Sequence, residues 1–136
     1  MNSPGSITVY ELQDVWTVAR LTLPTGSHLQ QSDVIADGAT SIVAHVYDVT
    51  DSVTLLNSYT VSEDSSLQKA NCVFNDLQTD GYWPADPTGY NFRHKMIGSN
   101  FTEGGRRYTI EYHISTASYG KMVAITDVTT VALAAV

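Results

Sequence analysis

The residues with the greatest chemical potential in this chain are four histidines, one cysteine and an aromatic-rich acidic loop. His28, His45, His94 and His113 are scattered, and none stands at a metal-ligand spacing from another His, a Cys or a carboxylate. Cys72 is the single cysteine, so no intrachain disulfide forms. It lies in the apolar-leaning, strand-like run at 70–74, where a free thiol behaves as a small buried hydrophobe rather than a nucleophile. The chain contains no Gly-x-Ser-x-Gly elbow, phosphate-binding glycine loop or Cys-x-x-Cys pair. Gly104-Gly105-Arg106 reads as a turn. These observations point away from an enzyme and name no catalytic residue, cofactor or metal.

The most unusual stretch is 76–90, which combines three acids, two prolines, two glycines and three aromatics. Proline restricts the chain while the rings favour burial, so an ordered loop is expected. In the plainer reading Tyr82 and Trp83 cap one end of the fold, and Asp80-Gly81 and Asp86-Pro87 set turns. In the functional reading the loop is a binding surface, because Trp and Tyr are favoured interface anchors. The candidate protein-interface residues are Tyr82, Trp83, Asp86 and Tyr90, with Arg93 and Arg106. A calcium site on Asp76, Asp80 and Asp86 is a weaker option that lacks the spacing of the twelve-residue loop.

The elements that must position these residues are strands. Period-two alternation recurs, whereas no apolar pattern at i, i+3, i+4, i+7 is long enough for a helix. In 107–115, Tyr108, Ile110, Tyr112 and Ile114 share one face. In 41–47, Ile42, Ala44 and Val46 do so, with His45 opposite. In 53–61, Val53, Leu55, Tyr59 and Val61 fall together, after a short polar link at 48–52. Along 89–97, Tyr90, Phe92, His94 and Met96 oppose Asn91, Arg93 and Lys95. This places His94 in the core and His45 and His113 toward solvent. A hairpin is expected between 89–97 and the strand beginning at 107. Further strands are expected at 7–10, 15–23, 121–125 and 128–136, the last central or buried on both faces. The expected architecture is all-β: one antiparallel β-sandwich, jelly-roll or Ig-like domain of seven to nine short strands over 7–136. A flexible arm is expected at 1–6.

Composition narrows the partners. Seven Lys and Arg against fourteen Asp and Glu give a charge of −7, which repels phosphate backbones, so nucleic acid is not expected. Charged residues make up only 15% of the chain, well under the roughly 25% of average domains. No apolar stretch is long enough for a transmembrane helix. The first residues lack the pattern of a secretory signal, which predicts synthesis and residence in cytosol.

Several segments resemble small proteins encoded among the structural genes of tailed bacteriophages. They are Ser32-Asp33 with SIVAHVYD at 41–48, then Trp83, DPTGYNFRH at 86–94, Phe101 and GGRRYTIEY at 104–112. The resemblance covers about two-thirds of the chain, judged as a motif likeness. It implies a virion structural protein, assembled in the host cytoplasm, of the cement or decoration kind that locks the outside of a capsid. It also implies the major capsid protein or another virion protein as partner, and self-association as a trimer or, second, a dimer. Two other roles suit such a β-sandwich: a tail, neck or baseplate part, or a carbohydrate- or receptor-binding module.

Overall fold

The computed structural model describes residues 5–83 and 85–133, and its eight strands form two packed β-sheets. The strands are β1 Ser6–Tyr10, β2 Val15–Ala19, β3 Ile42–Asp48, β4 Thr54–Tyr59, β5 Val73–Gln78, β6 Tyr90–Met96, β7 Arg107–Thr116 and β8 Gly120–Val131. The larger sheet runs β1-β8-β7-β3-β4 and the smaller β2-β6-β5. An all-β sandwich is therefore the fold.

Alternating sequence becomes alternating burial. β7 buries every second residue from Tyr108 to Thr116, because a strand turns successive side chains to opposite faces. Its inward residues pack with Ile42, Ala44 and Val46 of β3 and Ala124 and Val128 of β8. From the smaller sheet, Val15, Ala19, Phe92 and Met96 complete the same cluster. Phe92 and Tyr112 meet edge-to-face across the sheets at 4.9 Å. Each fully buried ring of this size contributes roughly 1.5–3 kcal/mol by leaving water. The sandwich is thus held at its middle.

Strands adjacent in sequence pair in two places: β3 pairs antiparallel with β4, and β7 with β8 through the turn before Gly120. Two expectations need correction. First, β6 and β7 make no hairpin. β6 pairs with β2 and β5, while β7 pairs with β3 and β8, so the chain changes sheet across 97–106. Both strands have one strongly apolar face, and facing them across the core buries both.

Second, the sandwich is not wholly antiparallel, because β1 runs parallel to β8 along Ser6↔Asp127 to Tyr10↔Val131. These two strands come from opposite ends of the sequence, so no short turn dictates their direction. β8 is central, the first of its two expected placements, lying between β1 and β7 with alternate residues exposed.

At the start of the chain, Ser6 already belongs to β1, and the Asp127 N–H donates to the Gly5 carbonyl at 2.8 Å. The remainder of the expected arm, residues 1–4, and the end of the expected last strand, 134–136, lie outside the described residues. Cys72 is fully buried but closes a single helical turn, Lys69–Cys72, rather than lying in a strand. Burial pushes its thiol up to about 12, which makes it inert at neutral pH.

Candidate functional site

The outer face of the smaller sheet carries the densest set of rings and charges. Register places Trp16 opposite Lys95 and Val18 opposite Arg93, while Val15, Thr17 and Ala19 face inward. The 79–89 loop then folds onto this face. Trp83, Val18 and Tyr90 form a small second core, with Phe74 packed against it.

Asp86 is the anchor of that loop. Its carboxylate accepts from Arg20 Nη1 at 2.8 and 2.9 Å, from Trp83 Nε1 at 3.0 Å, and from the N–H groups of Thr88 and Gly89. The Arg20 hydrogen bond, followed by that from Trp83, holds the Asp86 carboxyl well below the ordinary carboxylate range. Arg20 also lies over the Trp83 ring at 5.6 Å. On the other side of the loop Asp80 accepts from the Tyr90 hydroxyl at 2.9 Å, and Arg93 donates to the same hydroxyl at 3.0 Å. Burial first, then the Asp80 hydrogen bond, raises the Tyr90 hydroxyl above its usual value.

Arg93 sits among three rings. Its guanidinium carbon is 4.6 Å from the Tyr82 centroid, 5.2 Å from Trp16 and 5.3 Å from Phe74. Trp16 and Tyr82 meet at 5.3 Å with their planes 53° apart, so the two rings form an open corner over the cation. Both remain accessible, at 40% and 43%.

Beside this corner a cleft of about 520 Å³ is lined by Asp14, Trp16, Glu63, Asp64, Asn71 and Lys95, among others. That volume falls within the roughly 300–1,000 Å³ of small-molecule sites. His94 lies at its base, 2% exposed, with Nε2 2.9 Å from Asp64 Oδ2 and Nδ1 2.7 Å from the Tyr112 hydroxyl. This is the hydrogen-bonded core histidine expected from the alternation. Burial lowers its pKa against the opposing pull of Asp64. Asp64, although burial pushes it up, is held below the usual range by hydrogen bonds from Ser66 and His94.

The six residues singled out in the sequence divide three ways. Tyr82 is exposed and Arg93 half-buried beside it, both at the corner. Trp83, Asp86 and Tyr90 support the loop from beneath, with Trp83 4% exposed and Tyr90 fully buried. This matches the plainer reading for Trp83, which packs inward rather than presenting its ring. Arg106 makes its contacts elsewhere, on Asp48 at 2.7 Å, with Glu103 at 3.5 Å and Asp51 at 3.7 Å. It fastens the β3–β4 link to the start of β7.

Asp76, Asp80 and Asp86 do not converge. Among the described residues no group of three or more His, Cys, Asp or Glu could hold a metal ion. His45 and His113 do lie on the outer face of the larger sheet, but they are half-buried and edge-on to each other at 4.9 Å.

Trp16, Asp14 and Asp64 were not among the candidates. Trp16 was legible as the outward residue between inward Val15 and Thr17. Asp14 and Asp64 were not, since their partners Gly98 and His94 lie far along the chain. No protein-family model matches the chain, and no curated protein sequence matches it.

Proposed function

We propose that this protein is a structural component of a tailed-phage particle that binds the outside of the capsid lattice as a cement or decoration protein. The observation that carries the reading is the character of β4. It is the last strand of its sheet, it contains no charged residue, and Val53, Leu55 and Leu56 in and beside it are 75%, 52% and 40% exposed. Edge strands are normally blunted with Lys, Pro or a covering loop, because an open edge recruits another strand. An uncharged edge with exposed leucines on a rigid sandwich suits strand addition to a neighbouring subunit. The resemblance of the 41–48, 86–94 and 104–112 segments to phage structural proteins supports a virion subunit as that neighbour.

Cementing requires no chemistry. A protein that binds the assembled lattice but not dispersed subunits stabilises the shell by mass action, and contacts to several subunits at once multiply the effect. Repetition around a capsid axis favours a cyclic oligomer, a trimer first and a dimer second. The protein would reside in the virion, having been assembled in the host cytoplasm.

The test is the solution mass of the purified protein together with co-sedimentation against capsid shells that lack it. A trimer that pellets with shells and raises their melting temperature supports cementing. A protein indifferent to shells but recovered with tails would move it to the tail, neck or baseplate.

A further inference from the structure

We propose that the cleft beside Trp16 is a binding site for a neutral carbohydrate, a sugar ring lying on the indole with its hydroxyls turned to Asp14, Asn71 and Lys95. This inference does not depend on where in a particle, if any, the protein sits.

Three ligand classes are disfavoured by the site itself. A cation would seek the aromatic corner of Trp16 and Tyr82, but Arg93 already fills it, 4.6 Å from one ring and 5.2 Å from the other. An anion would meet Asp14, Glu63 and Asp64 on the cleft wall. Of the two cations there, Arg93 is engaged with the Tyr90 hydroxyl and Lys95 stands 3.9 Å from Asp14, so three carboxylates outweigh them and the wall carries no net positive charge for an anion. A wholly apolar ligand would strand those carboxylates, which cannot be desolvated without partners.

A neutral polyol with one C–H face meets every requirement. The Trp16 ring offers a broad apolar platform, and it is buttressed by Tyr82 at 5.3 Å and Lys95 at 5.8 Å. Carboxylates have lone pairs to spare for hydroxyl donors. Asp14 uses Oδ1 for the Gly98 N–H and leaves Oδ2 toward Lys95. Lys95 supplies donors for hydroxyl oxygens, and Asn71, whose Nδ2 already donates to Ser65 and Gln68, offers its amide oxygen to hydroxyl donors. The platform is rigid because Arg93 is clamped between rings and the Tyr90 hydroxyl, so little order must be gained on binding.

The test is a titration followed by tryptophan fluorescence, using cellotriose, chitotriose, maltotriose and mannotriose, with a heparin disaccharide and glycine betaine as charged controls. A printed array of neutral glycans runs in parallel. The expected result is that at least one neutral sugar shifts the emission, with a dissociation constant on the order of 1 mM or tighter. Trp16→Ala should weaken binding about tenfold or more, and Asp14→Asn should weaken it measurably while melting like the parent. Trp83→Phe, which alters the buried indole, should leave it unchanged. The proposal is overturned if no neutral glycan binds the parent protein, if only the charged controls bind, or if Asp14→Asn and a folded Trp16→Ala both bind as well as the parent.

Discussion

His94 Nε2 lies 2.9 Å from Asp64 Oδ2, and this contact ties the 60–68 segment to the inter-sheet core through Tyr112. A neutral imidazole fits both partners, with Nε2–H donating to Asp64 and Nδ1 accepting from the Tyr112 hydroxyl; this tautomer is assigned from the network. Burial lowers the His94 pKa from 6.5, so the unfolded chain takes up a proton in a range where the folded protein resists it. Stability is therefore complete above 6.5 and is lost as pH falls from there toward the lowered native value. The expected slope from this residue is at most about 1.4 kcal/mol per pH unit. Urea melts across pH 4 to 8 check it, with about one proton less of linkage in His94→Gln. An unchanged slope would mean that another group carries the effect.

Asp86 gathers the charge of Arg20, the indole N–H of Trp83 and two backbone N–H groups at a single carboxylate. Asp86→Ala should release the 79–89 loop, lowering the melting temperature and shifting Trp83 emission to the red as water reaches the ring. Asp86→Asn keeps one oxygen for the N–H donors and loses the charge facing Arg20, so its effect should be the smaller. Emission spectra of both variants in a Trp16→Phe background isolate the Trp83 signal. Equal effects would show that the charge, not the cap geometry, fixes the loop.

How much of this was legible in the sequence depends on the range of each interaction. The faces of β3, β6 and β7 and the core place of His94 follow from alternation, because burial is decided residue by residue along a strand. Pairing is not local, so the switch of sheet between β6 and β7 and the parallel β1–β8 pair left no mark in the residues nearby. In 53–61, alternation suggested a buried face, but β4 ended at the sheet edge with Leu55 and Leu56 exposed. The rings of 76–90 were recognisable as an ordered cluster, yet the division into outward Tyr82 and inward Trp83 was set by Asp86 and distant Arg20.

The turn between β1 and β2 positions Asp14 and Trp16, and it is tightly constrained. Leu12 has φ of 62°, in the left-handed region that a side chain with Cβ rarely occupies. Its carbonyl packs on Gly98, where an added Cβ would approach the Leu12 oxygen to 2.2 Å. Leu12→Asn should therefore stabilise by about 0.5–1 kcal/mol, since the 58% exposed side chain gives up little packing. Gly98→Ala should destabilise by about 2 kcal/mol or more, because the obstructing atoms are backbone. Chemical denaturation of both variants tests the pair, and a stabilised Gly98→Ala would show that the turn yields easily.

The open edge at β4 gives the assembly reading its sharpest consequence. Leu55 and Leu56 contribute little to the core, being 52% and 40% exposed, so Leu55→Lys and Leu56→Lys should each change stability by no more than about 0.5 kcal/mol. A charge on an edge strand nevertheless opposes addition of another strand, since the incoming chain would have to desolvate it. Both substitutions together should abolish pelleting with capsid shells and reduce any oligomer to its monomer while the melting temperature stays close to that of the parent. Analytical ultracentrifugation with and without shells reads both effects. Shell binding that survives the double substitution would place the partner surface away from β4, and the opposite edge strand β1, where Tyr10 is 57% exposed, would be the next to charge.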